Sequence, residues 1–222
     1  MNLKDIERIL KKLSKDRPIF HSEADFQHAL AITFAKEYPT YDIRLEKRIE
    51  SGEEKLRNYV DLIIISDNEE IFIELKYKTK RIKEVLNFKG EEFLLLNQGA
   101  QDLGMYSFVK DISDLEKIKS NKSKIKKAFT IFLTNDSYYW KRRKKQAIFD
   151  QFYIFEENSL NAGELRLHPT EKTKKLKLRW ENMGGKNKEG LLILKHNYGP
   201  FKWKEYSTIL GLFKYLVVEV IS

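Results

Sequence analysis

The stretch RNYVDLIIISDNEEIFIELKYK, residues 57–78, decides the predicted fold. It contains two apolar runs rich in β-branched and aromatic residues, separated by the polar segment Ser66–Glu69. This composition, with turn residues between two apolar runs, is typical of a β-hairpin. We therefore predict two strands that pair with each other and belong to a larger sheet.

Three charged residues, Asp61, Glu74 and Lys76, interrupt the apolar runs of this hairpin. Burial of a charge is costly unless the charge is paired or bound to a metal. Strand alternation places Glu74 and Lys76 on one face, and pairing of the two strands can bring Asp61 close to them. Two carboxylates and an ammonium group at one point suggest a divalent-metal site with a cationic helper.

The three residues resemble the motif of the PD-(D/E)XK phosphodiesterase superfamily, which includes restriction endonucleases, Holliday-junction resolvases and helicase-associated nucleases. Asp61 matches the first acid, and Glu74-Leu75-Lys76 matches the second part thirteen positions later, while Val60 stands where the nominal proline would be. The resemblance implies an α/β fold with a restriction-endonuclease-like core, in which a central mixed β-sheet is flanked by helices. It also implies hydrolysis of phosphodiester bonds.

The resemblance extends to a predicted helix from Glu23 to about residue 37. Glu23 begins the stripe that carries Phe26 and Leu30, and a glutamate on the inward face of this helix often completes the superfamily's metal site. The alternative is that an acid in the first turn only interacts favourably with the helix dipole. With the hairpin, we prefer Asp61, Glu74 and Glu23 as ligands of Mg²⁺ or Mn²⁺, because hard oxygen ligands suit these ions.

A second predicted helix runs from about residue 98 to 119. Gln98, Gln101 and Tyr106 are similar to the glutamine and tyrosine that some nuclease branches carry on the helix after the Glu-x-Lys strand. An amide there can orient a metal-bound water or contact a phosphate. Polar residues that simply face solvent are an equally good reading of each of the three.

The role of Lys76 stays open between three possibilities. It can position the attacking water, act as a base if its pKa is depressed, or stabilise the charge of the phosphorane. Its point charge close to a metal makes charge stabilisation the safest expectation.

Composition limits the classes of function. The 222-residue chain has a net charge of +9, from 42 Lys and Arg against 33 Asp and Glu, which favours a polyanionic partner such as nucleic acid. It has no cysteine, which excludes disulfides and thiolate chemistry. It has four histidines. We expect a soluble, cytoplasmic protein without membrane segments, because no apolar stretch approaches the roughly 20 residues of a span.

We predict that residues 1–155 form the nuclease-like core and that residues 156–222 form a β-rich C-terminal subdomain packed on it. The alternating pattern of residues 174–181 and the apolar run 191–194 predict strands in the second part. In the first part, residues 80–92 are expected to form a loop or a short helix that closes over a substrate. Five basic residues, 141–145, are candidates for phosphate contacts.

The leading hypothesis is a metal-dependent nuclease, with DNA as the first expectation and RNA left open. The alternative is a nucleic-acid-binding protein on the same fold without hydrolytic activity. A third hypothesis is a structural domain in which Lys76 forms an internal salt bridge with the two acids. A homodimer is compatible with the first hypothesis, since nucleases that cut both strands of a duplex commonly work as dimers.

Overall fold

The computed structural model of the 222-residue chain describes residues 1–50, 57–67, 69–121, 125–142, 147–167 and 191–221. The predicted strand at 174–181 lies outside these residues. Within the described part, no helix combines the length and the apolarity that crossing a membrane requires.

Two helices open the chain. Helix α1 spans Leu3–Asp16, and a capping box between Asn2 and Asp5 satisfies the amide groups of its first turn. Helix α2 spans Glu23–Glu37, and its N-cap Ser22 accepts a hydrogen bond from the Asp25 amide. This cap confirms the predicted start of α2, and with it the position of Glu23 in the first helical turn.

Six strands form a central mixed sheet in the order β1-β2-β3-β6-β10-β9. All neighbours in this sheet are antiparallel except β3 and β6, which are parallel. The strands span Asp42–Glu50 (β1), Arg57–Ile65 (β2), Glu70–Lys78 (β3), Ile125–Thr134 (β6), Lys204–Ser207 (β9) and Phe213–Glu219 (β10). The predicted hairpin is therefore β2 and β3, and the sheet confirms an α/β fold with a mixed sheet.

Helix α3, Gln101–Asn121, connects the parallel strands β3 and β6 and packs against both. Such a helical crossover is the usual connection between parallel strands. The predicted helix start near Gln98 is wrong: α3 begins at Gln101, and Gln98 lies in the preceding loop. Ala100 has a left-handed φ of 62°, which is incompatible with a continuous helix through Gln98.

Both faces of the sheet are covered. Helices α1 and α2 pack on one face, over side chains that include Leu62, Ile73, Leu75, Tyr77, Phe129 and Ile131. Helix α3 packs on the other face, together with aromatic residues from the C-terminal half of the chain. The buried stripe of α3 consists of Met105, Phe108, Val109, Ile112, Leu115 and Ile118. The structure is thus a three-layer arrangement of helices, sheet and helix.

Residues 80–92 were expected to form a loop or a short helix. Residues 80–85 do lie in a loop, whereas the rest of the stretch belongs to a hairpin that was not expected. Strands β4 (Leu86–Phe88) and β5 (Glu91–Phe93) form a small antiparallel hairpin. Its two turn residues, Lys89 and Gly90, have positive φ angles of 54° and 84°. Two positive φ angles in succession are typical of the tight turns that join hairpin strands.

The sheet crosses the predicted boundary at residue 155, because β9 and β10 are two of its six strands. The division into a core of 1–155 and a subdomain of 156–222 stays a prediction. Other residues of the C-terminal part form a short pair, β7 (Gly163–Leu165) and β8 (Leu192–Leu194), which includes the predicted strand at 191–194.

A buried carboxylate connects α3 to this C-terminal part. Glu116 is only 1% exposed, and its side chain accepts hydrogen bonds from the amides of Lys195 (2.9 Å) and His196 (3.1 Å). The Tyr198 hydroxyl donates a third, at 2.8 Å. A buried acid with this many donors is a strong link between two segments of chain.

Candidate active site

The site begins where strands β2 and β3 separate. Their pairing runs from Ile65 opposite Glu70 to Leu62 opposite Ile73 and does not continue to Asp61. Instead, the Asp61 carboxylate turns toward β3 and accepts a hydrogen bond from the Leu75 amide at 2.7 Å. The Asp61 side chain thus occupies the place of a strand partner at the point where β3 carries Glu74 and Lys76.

Helix α2 holds the backbone of Asp61 in place. The Gln27 amide group donates hydrogen bonds to the Asp61 carbonyl (2.6 Å) and to the Glu46 carboxylate (2.9 Å). Glu46 lies on β1 with a left-handed φ of 49°, between residues that pair normally with β2. This local irregularity of the ladder lets Gln27, which is only 5% exposed, reach the strand backbone.

Glu74 and Lys76 point toward α3, as the predicted strand alternation requires. Lys76 forms an ion pair with Asp111 on α3, with 2.7 Å between Nζ and Oδ2. The two side chains are only 13% and 16% exposed. The Lys76 ammonium group also donates to the Leu75 carbonyl at 3.2 Å.

The acids of the site interact strongly with one another. Burial raises the pKa of Glu74 well above its ordinary value, and the negative charges of Asp111 and Asp61 add to this shift. Burial also raises the pKa of Asp111 to about 6, with the positive charge of Lys76 opposing the shift and the charge of Asp61 adding to it. Burial is the main cause of both shifts, and the neighbouring carboxylates add to it.

Lys76 shows the complementary effect. Burial by itself lowers the pKa of a lysine, but here the negative charges of Asp111, Glu23 and Asp61 outweigh burial and raise the pKa of Lys76. Lys76 is therefore a permanent cation of the site.

Glu23 approaches the site from the start of α2. Its carboxylate accepts a hydrogen bond from the Tyr77 amide at 2.7 Å, one residue beyond Lys76 on β3. Its negative charge acts on the Lys76 ammonium group. The structure thus brings Glu23 to the strand with Glu74 and Lys76, while its role as a metal ligand stays a prediction.

Gln101 begins α3, whereas Gln98 lies in the loop before it. The Gln101 side chain donates to the Asp136 carboxylate at 3.0 Å, and so links the start of α3 to the end of β6. The backbone N–H of Gln98 donates a hydrogen bond to the Thr79 carbonyl at 2.9 Å, just after β3. Its side-chain oxygen is buried and has no hydrogen-bond partner within the described residues. A direct role of either glutamine in the site stays a prediction.

The sequence prediction missed Asp111. Asp111 lies three residues after the buried Phe108 and four before the buried Leu115, so it belongs to the inward face of α3. An acid within an apolar helical stripe is a signal for a buried partner, and here the partner is Lys76.

Carboxylate oxygens are ligands that suit a divalent ion such as Mg²⁺, and binding of such an ion at this site stays a prediction. Asp61, Glu74, Asp111 and Glu23 supply four carboxyl groups around one cation, Lys76, whereas a purely structural ion pair needs only one acid. Among the described residues, no three His, Cys, Asp or Glu side chains converge as a ready-made cage for a metal. Mg²⁺ does not require such a cage, because it is commonly bound by one or two carboxylates together with waters and substrate phosphates.

Comparison with known proteins finds no family model, no curated protein and no solved structure that significantly matches the chain.

Proposed function

We propose that the protein is a metal-dependent nuclease with a restriction-endonuclease-like core. The single observation that carries the proposal is the convergence of Asp61, Glu74 and Asp111 on Lys76 where β2 and β3 separate. Buried acids in excess over their cationic partner are unfavourable unless a further cation offsets them. Strongly perturbed pKa values of this kind cluster at functional sites.

The proposed chemistry assigns separate roles to the residues. Asp61 and Glu74 would hold a divalent ion, which would supply Lewis-acid polarisation of the scissile phosphate and would acidify a bound water. Lys76 offers its charge to the phosphate oxygens as negative charge develops on them. A raised pKa makes Lys76 a poor base, so charge stabilisation is favoured over proton abstraction. The attacking water gives one proton to solvent as its oxygen bonds to phosphorus, the ester P–O bond breaks, and the departing oxygen gains a proton from solvent.

Nucleic acid is the proposed substrate, and DNA is the first candidate. The net charge of +9 favours a polyanion. A groove of about 590 Å³ between α1 and β9 adds positive charge locally, since its lining includes Lys4, Lys11 and Lys15. In the predicted basic segment 141–145, Lys141 and Arg142 are exposed, and the remaining residues lie outside the described part of the chain.

A cleavage assay tests the proposal. Duplex DNA, single-stranded DNA and RNA are incubated with the protein and Mg²⁺ or Mn²⁺, and Asp61→Ala and Lys76→Ala are compared with wild type. Asp114→Ala is a matched control, because Asp114 forms its ion pairs with Lys110 and Lys117. We expect cleavage that requires the metal, is lost in the two site variants and is retained in the control.

Two results would contradict the proposal. Cleavage that survives both Asp61→Ala and Lys76→Ala would exclude this site. Salt-dependent binding of nucleic acid without any cleavage would favour the alternative of a non-catalytic binding protein on a nuclease-like fold.

A further inference from the structure

Helix α3 provides an anchor for the amine of Lys76. Lysine has a flexible four-carbon stem, so its ammonium group needs fixed acceptors to hold one position. Two groups fix it: Asp111 Oδ2 forms an ion pair with Nζ at 2.7 Å, and the Leu75 carbonyl accepts a hydrogen bond at 3.2 Å. An ammonium group has three N–H donors, so at least one donor remains for a water or a phosphate oxygen.

The anchor comes from a different part of the chain than the acids of the hairpin. Asp61 and Glu74 belong to β2 and β3, while Asp111 belongs to the helix that crosses over β3 and β6. Neighbouring side chains of α3, Phe108 and Ile112, are completely buried against the sheet, so the helix presents Asp111 from a rigid support. Precise orientation of a catalytic group requires support of this kind.

We propose that Asp111 is a positioning residue that holds the Lys76 ammonium group in its working orientation at the phosphodiester site. The proposal rests on the proposed nuclease function, and it adds Asp111 as a residue that acts only through Lys76. In this scheme Asp111 acts through its ion pair with Lys76 and not as a ligand of the divalent ion. Its loss is expected to disorder the amine while Asp61 and Glu74 remain in place.

Kinetics and metal affinity separate positioning from metal binding. For Asp111→Asn we expect kcat to fall by about 10–100-fold, the range in which misplaced catalytic groups act. Mn²⁺ affinity, measured by calorimetry, should change less than about threefold, whereas loss of a metal ligand or its support typically costs about 10–100-fold. Asp111→Glu should recover part of kcat, since it restores the acceptor. Asp114→Asn is the matched control on the same helix and should leave kcat unchanged.

The reactivity of the amine gives a readout that does not depend on cleavage. Lysines are acylated briefly with an amine-reactive ester, and the modification of each lysine is measured by mass spectrometry. We expect Lys76 to react at least about tenfold faster in Asp111→Asn than in wild type, because an ion-paired, buried amine is a poor nucleophile. In Asp114→Asn, only Lys110 and Lys117 should change, since these are its partners.

The outcomes distinguish the two proposals. Equal acylation of Lys76 in wild type and Asp111→Asn overturns the positioning role, whether or not the protein cleaves nucleic acid. Loss of Mn²⁺ affinity in Asp111→Asn overturns it as well and makes Asp111 a ligand. If Lys76 is protected by Asp111 but the wild-type protein cleaves nothing, the nuclease function fails and the pair is a structural ion pair only.

Discussion

Substitution of Lys76 by methionine should destabilise the protein in a strongly pH-dependent way. Methionine keeps an unbranched apolar stem of similar length but removes the cation that forms an ion pair with Asp111 and whose positive charge acts on Glu74. Removing one partner of a buried ion pair typically costs about 3–5 kcal/mol, because the remaining charge is buried without compensation. We expect a loss of this size at pH 8.

The pH dependence follows from the acids. With Lys76 present, the pKa of Asp111 is already raised from 3.8 to about 6. That difference corresponds to about 3 kcal/mol in favour of the protonated form. A folded pKa above the unfolded value means that the folded state binds more protons, so this stability is present at low pH and is lost as pH rises through the folded pKa. In the Lys76→Met variant, Asp111 and Glu74 carry less negative charge at pH 5 than at pH 8, because burial raises the pKa of both, and the loss should shrink to about 1 kcal/mol.

Urea unfolding at pH 5, 6, 7 and 8, without divalent ions, measures both quantities. Lys78→Met is the control, because Lys78 lies two residues further on the same strand. Its effect should be small and nearly independent of pH. A loss in Lys76→Met that is equal at pH 5 and pH 8, or absent at pH 8, would refute the argument that excess buried negative charge surrounds Lys76.

Three further predictions concern the metal and the C-terminal part. Mn²⁺ at 100 times its dissociation constant should raise the free energy of unfolding of wild type by about 2.7 kcal/mol. This stabilisation should vanish in Glu74→Gln. Equal stabilisation of both proteins would exclude Glu74 as a ligand. Because the pKa of Glu74 is raised, Mn²⁺ must displace a proton and should bind more tightly as pH rises, which calorimetry in different buffers can measure. Glu116→Gln should lower the free energy of unfolding, measured with urea, by about 1–3 kcal/mol, because the amide nitrogen of glutamine leaves at least one buried donor without an acceptor. Unchanged stability would contradict the linking role of Glu116.

The hairpin could be predicted from sequence because its signal is local. Strand alternation and turn residues predict β2, β3 and the common face of Glu74 and Lys76, and the structure confirms them. The position of Glu23 follows from an equally local signal, the N-cap Ser22. In both cases the physical cause lies within a few residues of the element that it determines.

What could not be predicted depends on contacts between distant segments. Asp111 meets Lys76 only because α3 crosses from β3 to β6, and no local pattern specifies which turn of the helix faces the lysine. The start of α3 was misplaced because apolar periodicity does not reveal the left-handed backbone at Ala100. The β4–β5 hairpin was missed because its strands are only three residues long and carry little alternation.

The position of β10 has a consequence for how the chain folds during synthesis. Strand β6 lies between β3 and β10, and β10 is formed by residues 213–219. Until those residues leave the ribosome, one edge of β6, with the fully buried Ile131 and Leu133, has no strand beside it. An open, apolar edge is a template for aggregation. A chain stopped near residue 155 should therefore associate or bind chaperones, and native folding should begin only after residues 213–219 have been synthesised.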